Sequence, residues 1–323
     1  MASLAALTVA FLIALALGRP AISLLRRYGC GQHVRDDGPQ SHLSKTGTPT
    51  MGGVVIVIAL VAASALMGAL ANAASAAVTL VIALAVGFGL IGFLDDRSII
   101  RHQRSLGLRA REKLVLQFAL AGGFLYLLTA LDMINPVLPV PFSHRLLTLG
   151  WWYYPAALIF IVLTANSLNL TDGLDGLASG LAAIAGISVG VIATLRGEPA
   201  LSAVCFALAG ACLGFLWYNT HPARVFMGDT GSLAIGGALA GVAIALKAEL
   251  LFIVIGVIFY LEALSVIAQV ISFKTTGKRV LKMSPLHHHF ELSGWSEQRV
   301  VTTFWAVGAV AAAVVVAVAI TKI

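Results

Sequence analysis

Five aspartates stand at the ends of long apolar stretches, where a carboxylate is costly unless it serves a purpose. Asp95 and Asp96 close the stretch GFGLIGFLDDR, Asp172 and Asp175 lie in NLTDGLDGLASG, and Asp229 lies in VFMGDTGSLAIGG. Ionisable side chains in such positions of a membrane protein indicate a functional site. If the three stretches open on one membrane face, the carboxylates converge. Converging carboxylates bind Mg²⁺, and Mg²⁺ in turn binds phosphate groups.

The composition excludes a soluble protein. The 323 residues are 59% hydrophobic and only 11% charged, with a mean hydropathy of +0.95, whereas a soluble domain carries about 25% charged residues. We therefore expect an all-α, polytopic membrane protein that forms one domain over 1–323 and is surrounded by the lipid bilayer. The formal net charge of +7 indicates orientation and anionic partners in a membrane protein, and nucleic acid is not an expected partner.

The apolar runs predict ten transmembrane helices. A helix needs about 20 apolar residues to cross the hydrocarbon core, and runs of this kind recur along the whole chain. The predicted spans are 2–25, 52–71, 76–94, 112–131, 151–168, 176–195, 199–218, 231–246, 249–273 and 300–321. The span at 231–246 is short and rich in glycine, so its ends are the hardest to place.

The basic residues predict the orientation of these spans. Of the 21 Lys and Arg residues, all but Arg145, Arg196, Lys247 and Lys322 fall in the loops that follow odd-numbered spans. Because cytoplasmic loops carry the excess of Lys and Arg, these loops are expected in the cytoplasm and both termini on the periplasmic side. All five aspartates then lie at the cytoplasmic face, so the active site is expected in the cytoplasmic loops.

The loop at 166–176 is the most polar of the acidic loops. Asn166, Asn169, Asp172 and Asp175 recur every three residues, a spacing that places side chains roughly along one face of a helical turn. A polar run between two spans is expensive unless it lines a wet cavity. The competing interpretation is that one aspartate merely caps the next helix, but a cap needs only one aspartate.

Two further acidic segments fit metal chemistry. The adjacent pair Asp95–Asp96 is of the type that holds Mg²⁺ through one or two carboxylates and the phosphates of a substrate. Neighbouring carboxylates also raise each other's pKa, which suits one of them as a proton acceptor. Asp229, followed by Thr230, Gly231 and Ser232, either caps the following helix or holds a metal ion.

The last long loop, 272–299, carries basic residues followed by three consecutive histidines, His287, His288 and His289. Zinc is one interpretation, although structural zinc sites have wider spacings and usually include cysteines. Cations and imidazoles that face carboxylates fit a phosphorylated substrate better, and a plain basic loop is the third interpretation. In the first loop, Lys45 is a candidate phosphate contact, but the GxxxxGK[ST] order of a P-loop is absent.

Five strings in this order, GTPTMGG, GFLDD, NLTDGLDGLA, FMGDTGS and PLHHHFE, resemble the phospho-N-acetylmuramoyl-pentapeptide transferases. The resemblance covers nearly the whole chain, from about Gln32 to the last span. It implies the transfer of phospho-MurNAc-pentapeptide from UDP-MurNAc-pentapeptide to undecaprenyl phosphate, with release of UMP. It also implies a requirement for Mg²⁺, a bacterial cytoplasmic membrane and a homodimer.

The resemblance assigns roles to individual residues. Asp229 matches the Mg²⁺ ligand, and Asp172, Asp95 and Asp96 match the remaining catalytic aspartates. The residues that match the nucleotide side are Lys45, Asp175, Asn219, Phe226 and Gln269. The histidine motif beside the diphosphate corresponds to His287, His288 and His289, with His288 expected among the catalytic residues. Asn169 and the basic residues Arg111 and Lys113 are expected to contact substrate.

The chain departs from the family pattern at Ile99, where the family often has a lysine after the aspartate pair. Arg97 or Arg101 is expected to supply that charge. The role of Glu262, deep within a span, stays open. Direct attack by the lipid phosphate is preferred to a covalent enzyme intermediate. A sister transferase for N-acetylglucosamine-1-phosphate and, more remotely, an ion-coupled transporter are the alternatives, although transporter sites usually lie at the midplane of the bilayer.

Overall fold

The structure is a computed structural model that describes residues 2–31, 45, 47–71, 75–102, 107–141, 143 and 145–321. Of the basic residues used to predict orientation, Arg35, Arg104 and Lys322 lie outside these ranges, as do residues 41–44 and 46 of the first loop. The helices within the described ranges are α1 Ala2–Arg27, α2 Gly53–Leu70, α3 Ala76–His102, α4 Ala110–Ala130, α5 Tyr153–Thr171, α6 Leu177–Leu195, α7 Pro199–Asn219, α8 Gly228–Ala245, α9 Glu249–Ile255, α10 Val257–Thr276, α11 Leu286–Glu291 and α12 Glu297–Thr321.

Ten helices of the described chain are long and apolar enough to cross a membrane, which confirms the all-α, polytopic architecture. Helices predominate because the bilayer offers no water to satisfy backbone N–H and C=O groups. The predicted span at 76–94 proves too short, since α3 continues to His102 and carries Asp95 and Asp96 within the helix. Helix α8 likewise begins at Gly228, so Asp229 belongs to its first turn.

The predicted span at 249–273 is wrong as a single helix. It consists of α9 and α10, which meet at Gly256, a residue with weak helix propensity. The sequence also gave no sign of a short hairpin before α5, in which strand β1 (Val137–Pro139) pairs antiparallel with strand β2 (Leu146–Thr148). In addition, the three histidines lie on the short helix α11 and not in an open loop.

Helix α8 lies at the centre of the bundle. It packs against α3 and α5, while α7 packs against α1 and α6, and α12 packs against α6. Small residues allow close contact between α1 and α7, because a Cβ added at Gly210 would come within 2.1 Å of the Leu7 carbonyl oxygen. Neighbouring helices therefore contact α8 on several sides and fix its first turn, which carries Asp229.

Helix α5 relates the two ends of the bundle. Its 19 residues span about 28 Å at 1.5 Å per residue, close to the thickness of the hydrocarbon core. Trp151 and Trp152, which are 79% and 74% exposed, precede it at one end, as is typical of aromatic residues at a membrane interface. Asp172 follows it at the other end. Which end faces the cytoplasm stays a prediction from the distribution of charge.

Candidate active site

Asp229 is held at the start of α8 by groups from two other helices. One of its carboxylate oxygens accepts a hydrogen bond from Asn169 Nδ2 at 2.8 Å, and Asn169 also donates to Ser232 Oγ at 2.8 Å. The other oxygen forms an ion pair with the ammonium of Lys113, in the first turn of α4. The structure thus brings together Asp229, Asn169 and Lys113, three residues that the sequence analysis had assigned to the site.

Asp96 caps the amino terminus of α8 from the side of α3. Its Oδ1 accepts the backbone N–H of Asp229 at 3.1 Å, and its Oδ2 accepts the backbone N–H of Thr230 at 2.9 Å and the Thr230 hydroxyl at 2.6 Å. A negative charge is favourable at this end of a helix, where the N–H groups lack intrahelical partners. Both oxygens of this buried carboxylate are therefore committed to holding the turn that carries Asp229.

Small residues make this contact between helices possible. A Cβ added at Gly92 of α3 would come within 2.1 Å of the backbone oxygen of Asp229, and one at Gly53 of α2 within 2.2 Å of Gly231. Gly228 has a positive φ of 73°, a conformation that glycine adopts without strain. The backbones of α2, α3 and α8 consequently meet closely enough for the side chains of α3 to reach the first turn of α8.

Asp95 lies close enough to Asp229 for the negative charges of the two carboxyl groups to interact. The backbone N–H of Leu108 donates to Asp95 Oδ1 at 2.9 Å, so the segment before α4 packs directly on this carboxylate. Two carboxyl groups close together repel each other when both are ionised, unless a proton or a cation lies between them. The pair is therefore a natural position for a positive charge.

Asp172 follows α5 and faces the same cluster. Burial, followed by the negative charges of Asp229 and Asp96, raises the pKa of Asp172 to about 8. Among the described residues, Lys113 is the cation that forms an ion pair with the cluster, through Asp229. Oxygen donors of this kind suit a hard divalent cation.

A cavity of about 770 Å³ is lined in part by Lys45, Asp175, His221, Phe226 and Glu297. Asp175, three residues after Asp172, lines this cavity, and Asp172 is not among the lining residues. Lys45 Nζ donates to Asp175 Oδ1 at 2.7 Å and to Glu297 Oε1 at 2.6 Å. Both aspartates follow the end of α5 at Thr171, where the chain leaves the helix.

Three ligand-type side chains cluster in the cavity, namely those of Asp175, His221 and Glu297, with atoms within 4.8 Å of one another. His221 Nδ1 lies 3.1 Å from Asp175 Oδ2 and 3.4 Å from Glu297 Oε2. The ammonium of Lys45 already forms an ion pair with each of the two carboxylates. We therefore interpret this cluster as a lysine site and place the metal-binding potential at Asp229, Asp95 and Asp172.

Glu297, in the first turn of α12, is the residue of this cavity that the sequence did not reveal. Besides Lys45, it accepts the backbone N–H of Asp175 at 2.8 Å. His221, which also belongs to this cluster, was likewise not singled out by the sequence. The available signal was weak: Glu297 is a single acidic residue before the last apolar run.

The histidine motif is anchored by buried acidic residues. His287 Nδ1 lies 3.1 Å from Glu262 Oε2, and the backbone N–H of His287 donates to Glu262 Oε1 at 3.2 Å. Both side chains are at most 1% exposed, which answers the open question about Glu262. His288 Nδ1 contacts Glu291 at 2.8 Å, and His289 Nδ1 accepts the N–H of Lys282 at 3.2 Å.

The motif reaches the acidic loop through His287, because a Cβ added at Gly173 would lie 2.3 Å from His287 Nε2. Gly173 immediately follows Asp172. The histidine helix and the loop between α5 and α6 are therefore in direct contact, as expected for a motif that belongs to the same site.

The side-chain amides of two residues expected on the nucleotide side form hydrogen bonds to the backbone of neighbouring loops. The Asn219 amide accepts from Gly176 N–H and Ser179 Oγ and donates to the Val225 carbonyl. The Gln269 amide bonds the backbone of Val280 and Leu281. Each fixes a loop that bears site residues, and neither is among the residues that line the cavity.

Of the basic residues expected near the site, only some lie close to the aspartate cluster. Arg111 is exposed and lies two residues from Lys113 on α4, so it points to a different side of the helix. Arg97 and Arg101 are also exposed, and Ile99 follows the aspartates on α3. It is Lys113 that places a positive charge on the aspartate cluster.

Comparison with known proteins supports a common origin of this site. The family description "Glycosyl transferase family 4" matches residues 78–247, and the "Phospho-N-acetylmuramoyl-pentapeptide-transferase signature 1" matches residues 45–57. Curated relatives named phospho-N-acetylmuramoyl-pentapeptide-transferase occur in Bacillus thuringiensis (strain Al Hakam) and in Bacillus cereus (strains AH187 and G9842). Each is 51% identical over 300 residues, which cover 93% of this chain and 92% of the relative.

Proposed function

Because the chain belongs to the phospho-N-acetylmuramoyl-pentapeptide-transferase family, we propose that it transfers phospho-MurNAc-pentapeptide from UDP-MurNAc-pentapeptide to undecaprenyl phosphate. The products are lipid I and UMP, and the reaction serves peptidoglycan biosynthesis. The protein is a multi-pass protein of the bacterial cytoplasmic membrane. The observation that carries the proposal is the meeting of Asp95, Asp172 and Asp229, together with a cavity that Asp175 and Phe226 line.

The aspartate cluster fits Mg²⁺. The proximity of Asp95 and Asp229 and the raised pKa of Asp172 are both consistent with negative charge that a divalent cation would offset. We propose that Asp229 is the principal ligand, with Asp95 and Asp172 close by. When bound, Mg²⁺ supplies neutralisation of the diphosphate charge and orientation of its oxygens.

The negative charge of the substrates that Mg²⁺ does not offset would be neutralised by basic side chains of the protein. Lys113, in contact with Asp229, is placed to face phosphate oxygens once a metal ion shares the carboxylate. The histidines of α11, with His288 foremost, add donors beside the loop of Asp172. Neutralising the two anions that must meet is the main physical problem in phosphoryl transfer, and fixed positive groups solve it without reorganisation.

We propose direct attack by the lipid phosphate. An ionised oxygen of undecaprenyl phosphate forms a bond to the phosphorus that carries the sugar, while the bond from that phosphorus to the UMP oxygen breaks. A phosphate monoester is mostly ionised near neutral pH, because its second pKa is about 6. Asp95 then needs only to accept or hold a residual proton. A labelled phospho-sugar trapped on the protein without lipid acceptor would overturn direct attack.

The cavity provides the nucleotide side. We propose that the Phe226 ring stacks on uracil and that Lys45, fixed between Asp175 and Glu297, contacts the nucleotide. The reacting groups lie at helix ends, so the tail of the lipid substrate can stay in the bilayer while its phosphate enters the site. A homodimer is an expectation from the family resemblance, which molecular mass in detergent would check.

The decisive experiment is the release of UMP by the purified protein. We expect release from UDP-MurNAc-pentapeptide only when both Mg²⁺ and undecaprenyl phosphate are present, and loss of release in Asp229→Asn. Preference for UDP-N-acetylglucosamine in the same assay would favour the sister transferase. Undiminished activity of Asp229→Asn would contradict the metal role of this residue.

A further inference from the structure

A second pocket, of about 300 Å³, lies outside the site described above. It is lined by Arg19, Ile22, Ser23, Arg26, Tyr218 and Arg224. It shares none of its lining residues with the nucleotide cavity. Three of its six lining residues are arginines, contributed by two regions of the chain about 200 positions apart in sequence, so the clustering is a product of the fold.

Helix α1 supplies one wall of the pocket as a single stripe. Arg19, Ile22, Ser23 and Arg26 stand at positions i, i+3, i+4 and i+7, which is the spacing of residues on one face of a helix. The stripe extends about 10 Å along the axis at 1.5 Å per residue. It runs toward the carboxyl end of α1 and combines a hydroxyl and an aliphatic side chain with two guanidinium groups.

The end of α7 and the residues after it supply the other wall in a fixed conformation. The Tyr218 hydroxyl donates to the Leu15 carbonyl at 2.7 Å. Arg224 Nη2 donates to the Trp217 carbonyl at 2.7 Å, and its guanidinium carbon lies 4.9 Å from the centre of the Tyr218 ring. This arginine is thus oriented before any ligand arrives, which lowers the entropic penalty of binding.

The positive charge of the pocket comes from its three arginines. Among the residues that the structure describes, Arg19, Arg26 and Arg224 form no ion pair with a carboxylate. Converging guanidinium groups suit an anion with several oxygen acceptors, and the planar guanidinium binds two oxygens of a phosphate group at once. The general excess of basic residues near the ends of transmembrane helices is the alternative explanation, but it does not account for a concave pocket with an oriented arginine.

Exposed apolar side chains lie on the same helix as the pocket, as expected of a surface that contacts lipid. Leu12 and Leu24, elsewhere on α1, are 54% and 53% exposed, as expected of side chains that face acyl chains. We propose that this pocket binds the phosphodiester headgroup of an anionic phospholipid, whose acyl chains lie along α1. Basic pockets between transmembrane helices are known to take such headgroups.

The pocket borders the segment between α7 and α8. Arg224 faces the pocket, while His221 and Ala223 of the same segment line the nucleotide cavity. A bound headgroup would therefore hold one side of a segment whose other side meets substrate. The proposal concerns lipid binding and stands or falls independently of the proposed transferase activity.

The test is a comparison of Arg26→Gln with Arg27→Gln in the full-length protein. The two residues are neighbours at the end of α1, both are exposed, and each substitution removes one positive charge, but only Arg26 lines the pocket. Phosphatidylglycerol, phosphatidylcholine and inorganic phosphate are titrated separately into protein in a neutral detergent. Bound molecules are counted by native mass spectrometry.

We expect wild type and Arg27→Gln to retain one phosphatidylglycerol more tightly than phosphatidylcholine. Arg26→Gln should bind it about fivefold more weakly, the loss expected for one arginine near a headgroup, and Arg19→Gln/Arg26→Gln weaker still. Partial recovery in Arg26→Lys supports a charge contact over a change in folding. Equal losses in Arg26→Gln and Arg27→Gln overturn the proposal, as does equally tight binding of inorganic phosphate or phosphatidylcholine.

Discussion

Asp96 Oδ2 accepts both the backbone N–H and the hydroxyl of Thr230, at 2.9 and 2.6 Å. A carboxylate of α3 thereby completes the amino terminus of α8, one residue from Asp229. The family resemblance places Asp96 among the catalytic aspartates, whereas these hydrogen bonds fit a positioning residue. The distinction can be tested, because a positioning group and a reacting group respond differently to substitution.

Asp96→Asn should lower the stability of the protein as well as its activity. The amide retains one oxygen and turns an N–H₂ group toward an N–H donor, so the free energy of unfolding should fall by about 1–3 kcal/mol. Thermal unfolding in detergent measures this, with Thr230→Val as the milder companion that removes only the hydroxyl. An unchanged melting temperature with complete loss of activity would instead identify Asp96 as a reacting group.

Gly92→Ala should impair catalysis through the position of Asp229. The new Cβ would lie 2.1 Å from a backbone oxygen, which cannot rotate away, so α3 and α8 must separate. A displacement of about 1 Å can reduce the rate of a positioned reaction about 100-fold, and UMP release at saturating substrate measures the effect. The matched control is Gly123→Ala on α4, where no atom lies within 4 Å of the added Cβ; comparable losses in both variants would refute the explanation.

Glu297→Gln should weaken nucleotide binding more than it slows the chemical step. Its carboxylate bonds Lys45 at 2.6 Å and the N–H of Asp175 at 2.8 Å, and charge-assisted hydrogen bonds contribute about 1.5–3 kcal/mol. We expect KM for UDP-MurNAc-pentapeptide to rise about tenfold while kcat changes little. Glu198→Gln, an exposed acid before α7, serves as control, and a fall in kcat at constant KM would count against this role.

The stability of the metal-free protein should decrease as the pH rises from about 4 to about 8. Burial and neighbouring negative charge raise the pKa of Asp172 to about 8, whereas an unfolded aspartate has a pKa of about 3.9. Between these values the folded protein binds a proton that the unfolded chain does not, so the free energy of unfolding falls with increasing pH. Melting temperatures in EDTA should show this decline, and Asp172→Asn should reduce it; identical slopes in both proteins would rule out Asp172 as its source.

The sequence predicted the helices well because the bilayer leaves few alternatives for a long apolar run. It failed where local signals were small: Gly256 divides a continuous apolar stretch into α9 and α10, and α3 continues past its apolar part because its polar end packs against α8. Hydropathy alone detects neither event, since both depend on tertiary contacts.

For the site, residue types and their order along the chain predicted which segments converge, but not what each side chain does. Asn219 and Gln269 look like ligand-binding amides, and only their partners show that they hold backbone. The contact between Lys45 and Glu297 joins residues 252 positions apart, so no local pattern could indicate it. Such assignments depend on which face of each helix meets which neighbour.

The contact between Lys45 and Glu297 also has a consequence for the order in which the cavity is assembled. Glu297 opens α12, the last helix described, whereas Lys45 precedes α2. The helices from α2 to α12 must therefore be synthesised before the lysine acquires its second carboxylate. Chains arrested before α12 would carry the aspartates of α3 and α8 without the contact that joins Lys45 to Glu297.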